Sequence, residues 1–124
     1  MRIATQQDAA SLLLPFFADA EEEKVVAIHL DAERQLLGIT LEQVGGADAV
    51  VLPVAAIVGS ALKLGAAALI VAHNHPSGDA RPSDLDRDST RRLADAARAV
   101  GIRVVDHLIF GGADVVGMAA MGLM

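Results

Sequence analysis

Apolar and polar positions fall into blocks along the chain, and each block implies an element. Gln6 to Ala18 mixes polar residues with Leu12, Leu13, Leu14, Phe16 and Phe17, which predicts a first helix that Pro15 kinks or ends. Glu23 to Leu30 and Gln35 to Val44 read as strands joined by the turn Asp31 to Arg34, a hairpin. Val54 to Leu64 carries apolar residues at helical spacing, with Pro53 where a first helical residue would sit and Gly65 as C-cap. Ala66 to Ala72 is a continuous apolar run of strand length, fit for a central strand buried on both faces. Pro76 to Pro82 is a loop. Asp84 to Val100 is the clearest helix, with Leu85, Leu93, Ala96, Ala97 and Val100 on one face and Gly101 as its stop. Ile102 to Phe110 and Asp114 to Met118 complete the strands. This order predicts an α/β domain, layered around a mixed central β-sheet, and 124 residues make it one domain over residues 1–124.

Composition narrows the chemistry. Without cysteine there are no disulfides, thiolate zinc sites or cysteine nucleophiles, which leaves histidine and carboxylate as the good metal ligands. A net charge of −6 and an absence of Trp and Tyr advertise neither a phosphate-neutralising face nor a base-stacking platform. Direct nucleic-acid binding by this chain is therefore not expected. The uncharged run Ala49 to Leu62 is too short to span a bilayer and is broken by Pro53 and Gly59. The first residues have no apolar core of a signal peptide, so a cytoplasmic location is expected.

One stretch is neither core nor ordinary loop. The apolar run ends at Ala72 and is followed by His73-Asn-His75-Pro-Ser-Gly, then by Ser83 and Asp86. At a strand end the period of two turns His73 and His75 to the same face, where they can share one ion. Asp86, in the first turn of the next helix, supplies a third ligand once the loop folds back. Two neutral imidazoles and one carboxylate leave a fourth position open on zinc, as catalytic rather than structural sites do. A plainer account competes: Ser83 and Asp86 have the spacing of a capping box. An Asp on the metal is not expected to reach back to the cap as well.

The run from His73 to Asp86 resembles the JAMM metal motif of JAB/MPN domains, in the form found in the bacterial RadC family. Val105-Asp106-His107-Leu-Ile-Phe-Gly111 and Ala61 to Ile70 extend the likeness, which covers roughly residues 20–124. The resemblance implies a layered α-β-α fold of the JAB/MPN, cytidine deaminase-like kind and one zinc ion per chain on His73, His75 and Asp86, although another divalent metal would also fit. It implies a glutamate at the start of the first strand as proton carrier. Glu21, Glu22 and Glu23 compete for that role, and counting back from Leu30 selects Glu23. It further implies that Ser83 stabilises an oxyanion while activated water attacks a peptide or isopeptide carbonyl. The helix-hairpin-helix region usual in RadC proteins has no counterpart in this sequence. Val54-Ala55 replaces the family's usual Arg-Glu, and Val115-Val-Gly117 replaces its Tyr-x-Ser, so the usual substrate or partner surface is altered.

Other functions compete with hydrolysis. The chain could be a RadC-type binding module associated with DNA repair, in which a metal only shapes a loop. Two histidines and a carboxylate also make the facial triad of iron oxygenases, but those sit in all-β barrels, and zinc deaminases need cysteines that are absent here. His29 reads as a surface or core histidine rather than a ligand. Asp106 and His107 lack a nucleophile elbow and read as structural or as support behind the ligands. The late arginines interleave with Asp84, Asp88 and Asp95, the pattern of a salt-bridged solvated face.

Overall fold

The computed structural model describes residues 1–45 and 51–124. Ala49 and Val50, the start of the uncharged run, lie outside them. The elements are α1 (Gln6–Phe17), β1 (Lys24–Leu30), β2 (Leu36–Val44), α2 (Val54–Leu64), β3 (Ala68–Asn74), α3 (Asp84–Ala99), β4 (Arg103–Gly111) and β5 (Asp114–Gly117). The five strands form one sheet in the order β2-β1-β3-β4-β5. Only β3 and β4 pair in parallel, as their connection through α3 allows, so the sheet is mixed as the alternation predicts.

The period of two divides the buried strand residues between two layers. Val26, Ile28, Leu30, Ile70, Ala72, Leu108 and Phe110 pack with Ala9, Leu13 and Phe17 of α1 on one face. Val25, Ala27, Leu69 and Val71 pack with Ile57 and Ala61 of α2 and Leu93 and Ala97 of α3 on the other. The result is the layered α-β-α fold expected. No helix among the described residues is long and apolar enough to cross a membrane.

Three details refine the sequence reading. Of the two outcomes expected at Pro15, the helix does not end there, since α1 continues to Phe17. The carbonyl that loses its partner belongs to Ser11, which is exposed, so water can replace the missing bond. Pro53 is the N-cap rather than the first helical residue, and it makes no side-chain cap bond. The central strand runs from Ala68 to Asn74, later than the apolar run by two residues, because His73 and Asn74 find polar partners that let them stay in the ladder.

Two pairings bring distant polar residues to the end of β3. Antiparallel β1 and β3 set Val25 opposite His73, so the start of β1 lies at the end of β3. Parallel β4 sets His107 opposite Val71, two residues before His73 and on the same face. The loop after β3 then crosses the end of β4 so closely that a Cβ at Gly111 would lie 2.5 Å from the Ala80 amide nitrogen. Gly111→Ala should therefore destabilise by about 1–3 kcal/mol, the range of an overpacked core. Gly59→Ala, within α2 and facing open space, should stabilise by about 0.5–1 kcal/mol. Urea unfolding of the two variants measures both.

Candidate metal centre

His73 is the penultimate residue of β3, and His75 extends the same pairing, its amide donating to the Phe110 carbonyl at 2.8 Å. Both imidazoles reach the α3 side of the sheet. There Asp86, at the third position of α3, meets them. His73 Nε2 lies 3.1 Å from His75 Nε2 and 3.2 Å from Asp86 Oδ1, and His75 Nε2 lies 3.2 Å from Asp86 Oδ2. All three side chains are buried.

These spacings suit an ion. Ligand atoms about 2.0–2.1 Å from a tetrahedral zinc stand about 3.3 Å apart. The other ring nitrogens are engaged elsewhere: His75 Nδ1 bonds the Asp79 carbonyl and His73 Nδ1 bonds His107 Nε2, each at 2.6 Å. Asp79 is itself held by an exposed fork to Arg81, at 3.0 and 2.7 Å, whose hydrogen bonds bring its carboxyl down to about 2. The His-His-Asp triad is thus positioned to bind a metal ion.

Asp86 is placed to serve as cap and as ligand at once. Its Oδ2 accepts from the Ser83 amide at 2.8 Å while Ser83 Oγ accepts from the Asp86 amide at 3.0 Å, a complete capping box. Its Oδ1 takes no part in the cap and faces His73 Nε2 at 3.2 Å. The expectation that a coordinating Asp could not also cap overlooked the two oxygens of the carboxylate. Burial pushes this carboxyl up, but the His73 imidazole and the Ser83 amide, with His75 beside them, outweigh it and hold it at about 2. It is ionised and ready for a cation.

The other residues singled out by sequence separate clearly. Glu23 is buried immediately before β1 with Oε1 3.9 Å from His73 Nε2, whereas Glu21 and Glu22 are exposed. Ser83 uses a lone pair to cap, which leaves its proton available for donation. His29 lies far along β1 and bonds Thr40 Oγ1 at 2.8 Å, outside the cluster, and burial keeps its pKa below the ordinary value. Asp106 accepts from the amides of His107 and Ala119 at 2.8 and 3.0 Å, which fastens the last segment to β4. His107 instead backs His73, and burial, with the neighbouring His73, keeps it neutral. Arg87, Arg91 and Arg98 of α3 pair with Asp84, Asp88 and Asp95 at i, i+3, as a solvated face requires.

Sequence reasoning passed over Asn74. Between two histidines that face α3, it must face the other way. Its Oδ1 accepts from the Lys24 amide at 2.8 Å and its Nδ2 donates to the Glu22 carbonyl at 3.1 Å, so one side chain grips the backbone on both sides of Glu23. Thr90 was also missed, although its i+4 spacing from Asp86 puts it on the same helix face. Its hydroxyl donates to the Asp86 carbonyl at 2.6 Å. Removing both Asn74 bonds in Asn74→Ala should cost about 1–3 kcal/mol. Asn74→Asp should cost at least as much, because its second oxygen would face the Glu22 carbonyl. Urea unfolding of the pair checks the order.

Comparison with known proteins identifies the family. Residues 3–123 match the RadC-like JAB domain. The UPF0758 protein Bpet3149 of Bordetella petrii is 46% identical over 109 residues, covering 86% of this chain and 48% of that protein. A UPF0758 protein of Roseiflexus castenholzii is 35% identical over 122 residues, covering 98% and 52%. The UPF0758 protein YfjY of Escherichia coli is 39% identical over 107 residues, covering 86% and 67%. The chain spans about half the length of the first two.

Proposed function

Since the chain belongs to the RadC-like JAB domain family, we propose that it is a metal-dependent hydrolase of the JAMM type that cleaves an amide or isopeptide bond with zinc held by His73, His75 and Asp86. The observation that carries this reading is the convergence of the His73 and His75 Nε2 atoms, 3.1 Å apart, on the Asp86 carboxylate, each 3.2 Å from one of its two oxygens, with Glu23 Oε1 3.9 Å from His73 Nε2. A purely structural site has no need of a buried glutamate beside its ligands.

A bound divalent ion would polarise the substrate carbonyl and acidify a water. Glu23 takes the proton of the attacking water and returns it to the departing amine, so one carboxylate serves as base and then acid. Ser83 donates its free proton to the oxyanion while its lone pair continues to cap α3. Asn74 holds the backbone around Glu23, and the Asp79 carbonyl and His107 orient the two imidazoles. No covalent intermediate is required.

After chelator treatment and reloading, about one zinc per chain should be retained, the number that one tetrahedral site holds. His75→Ala should abolish that binding and His29→Ala should leave it unchanged. Glu23→Gln should keep fold and metal but lower turnover of peptide or isopeptide substrates by about 10²–10⁴. Ser83→Ala should lose about 1 kcal/mol of stability and about 10²–10³ in turnover. A zinc-loaded protein that cleaves no member of a broad amide and isopeptide panel would count against hydrolysis and favour a binding module. Full activity in Glu23→Gln would remove the glutamate from the mechanism.

A further inference from the structure

Behind the candidate ligands lies a buried chain of hydrogen bonds that admits two proton arrangements. His73 Nδ1 is 2.6 Å from His107 Nε2, His107 Nδ1 is 2.6 Å from Thr90 Oγ1, and Thr90 Oγ1 is 2.6 Å from the Asp86 carbonyl. All four residues are buried, so no water competes for these contacts. Each imidazole contact holds one proton. In the first arrangement Thr90 donates to Asp86, His107 Nδ1 donates to Thr90, and His73 Nδ1 donates to His107. His73 Nε2 is then a bare lone pair facing His75 and Asp86. In the second, Thr90 donates to His107 Nδ1, His107 Nε2 donates to His73 Nδ1, and His73 carries its proton on Nε2, 3.2 Å from Asp86 Oδ1. Three protons change places and none is gained or lost.

We propose that Thr90 and His107 are positioning residues that set which nitrogen of His73 carries the proton, and thereby set the affinity of the site for its metal. The proposal rests on the metal reading above. Only the first arrangement offers His73 Nε2 to a cation, while the second satisfies Asp86 Oδ1 when no cation is there. A carboxylate or carbonyl behind a ligand imidazole can only accept, which locks the ligand tautomer. Neutral His107 can accept or donate, so this site can exchange an ion for a shift of protons along its own wiring. Thr90 gives the arrangement its direction, because the Asp86 carbonyl draws the hydroxyl proton away from His107.

Thr90→Val keeps the shape and removes the hydroxyl. His107 Nδ1 then has no acceptor, the His107 proton moves to Nε2, and His73 is held with its proton on Nε2. Zinc affinity, measured by chelator competition, should fall about 10–100-fold, and Thr90→Ser should restore most of it. Ser89→Ala is the stability control: it loses the 2.6 Å bond from the Leu52 amide, so it should lower the melting temperature without changing zinc affinity. Long-range proton–nitrogen NMR of the wild type supplies a readout that needs no variant. His73 should carry its proton on Nε2 in the metal-free protein and on Nδ1 once zinc is bound. Equal zinc affinity in wild type and Thr90→Val, or an unchanged His73 tautomer on loading, would overturn the relay and leave the metal reading intact. A wild type that takes up no zinc would overturn both.

Discussion

Two imidazole nitrogens 3.1 Å apart, each 3.2 Å from an oxygen of one carboxylate, crowd their lone pairs together unless a cation or a proton sits among them. That constraint organises the structure, since every neighbour of the site either holds a donor in place or absorbs the cost of crowding. The crowding is sustained because the ligands come from elements that are fixed for other reasons. His73 is part of a central strand, His75 is tied to β4 through its amide and to Asp79 through its ring, and Asp86 is needed where it is to start a helix. None can swing away without breaking a bond that folding itself uses.

The sheet does the coarse positioning and the polar side chains do the fine positioning. Antiparallel pairing of β1 with β3 brings Glu23 to the end of the strand that carries the histidines, and the parallel β3–β4 pair brings His107 behind them. Register and the bond from the Gly45 amide to the Glu23 carbonyl at 2.7 Å still leave the chain before Glu23 room to shift. Asn74 removes that freedom by extending the hydrogen bonding of the ladder past its last residue, and Lys24 adds a tie through its ammonium to the Phe16 carbonyl at 3.2 Å. The helix on the opposite layer thereby also steadies the glutamate.

Much of this was legible in the sequence because it derives from short periods and local chemistry. Alternation of two and the apolar run revealed the strands, the His-x-His pair revealed a shared face, and Ser83 with Asp86 revealed a helix start. What escaped was information carried by long-range pairing. Nothing local in Val105-Asp106-His107 says that one of two adjacent polar residues closes the C-terminal segment while the next backs a ligand. That division exists only once β4 is in register with β3. At Pro15 the sequence left two outcomes open, and the helix continues because the orphaned carbonyl faces water.

The apparent conflict at Asp86 shows how economical such a site can be. A carboxylate at the third position of a helix satisfies an orphan amide with one oxygen, and the helix N-terminus favours its charge in return. The second oxygen is then aimed by a bond that the helix needs anyway, so orienting a ligand requires no additional residue. The same reasoning applies to Ser83, whose lone pair caps and whose proton remains free. A helix start must fix two side chains in space, and fixed side chains are what a metal centre requires.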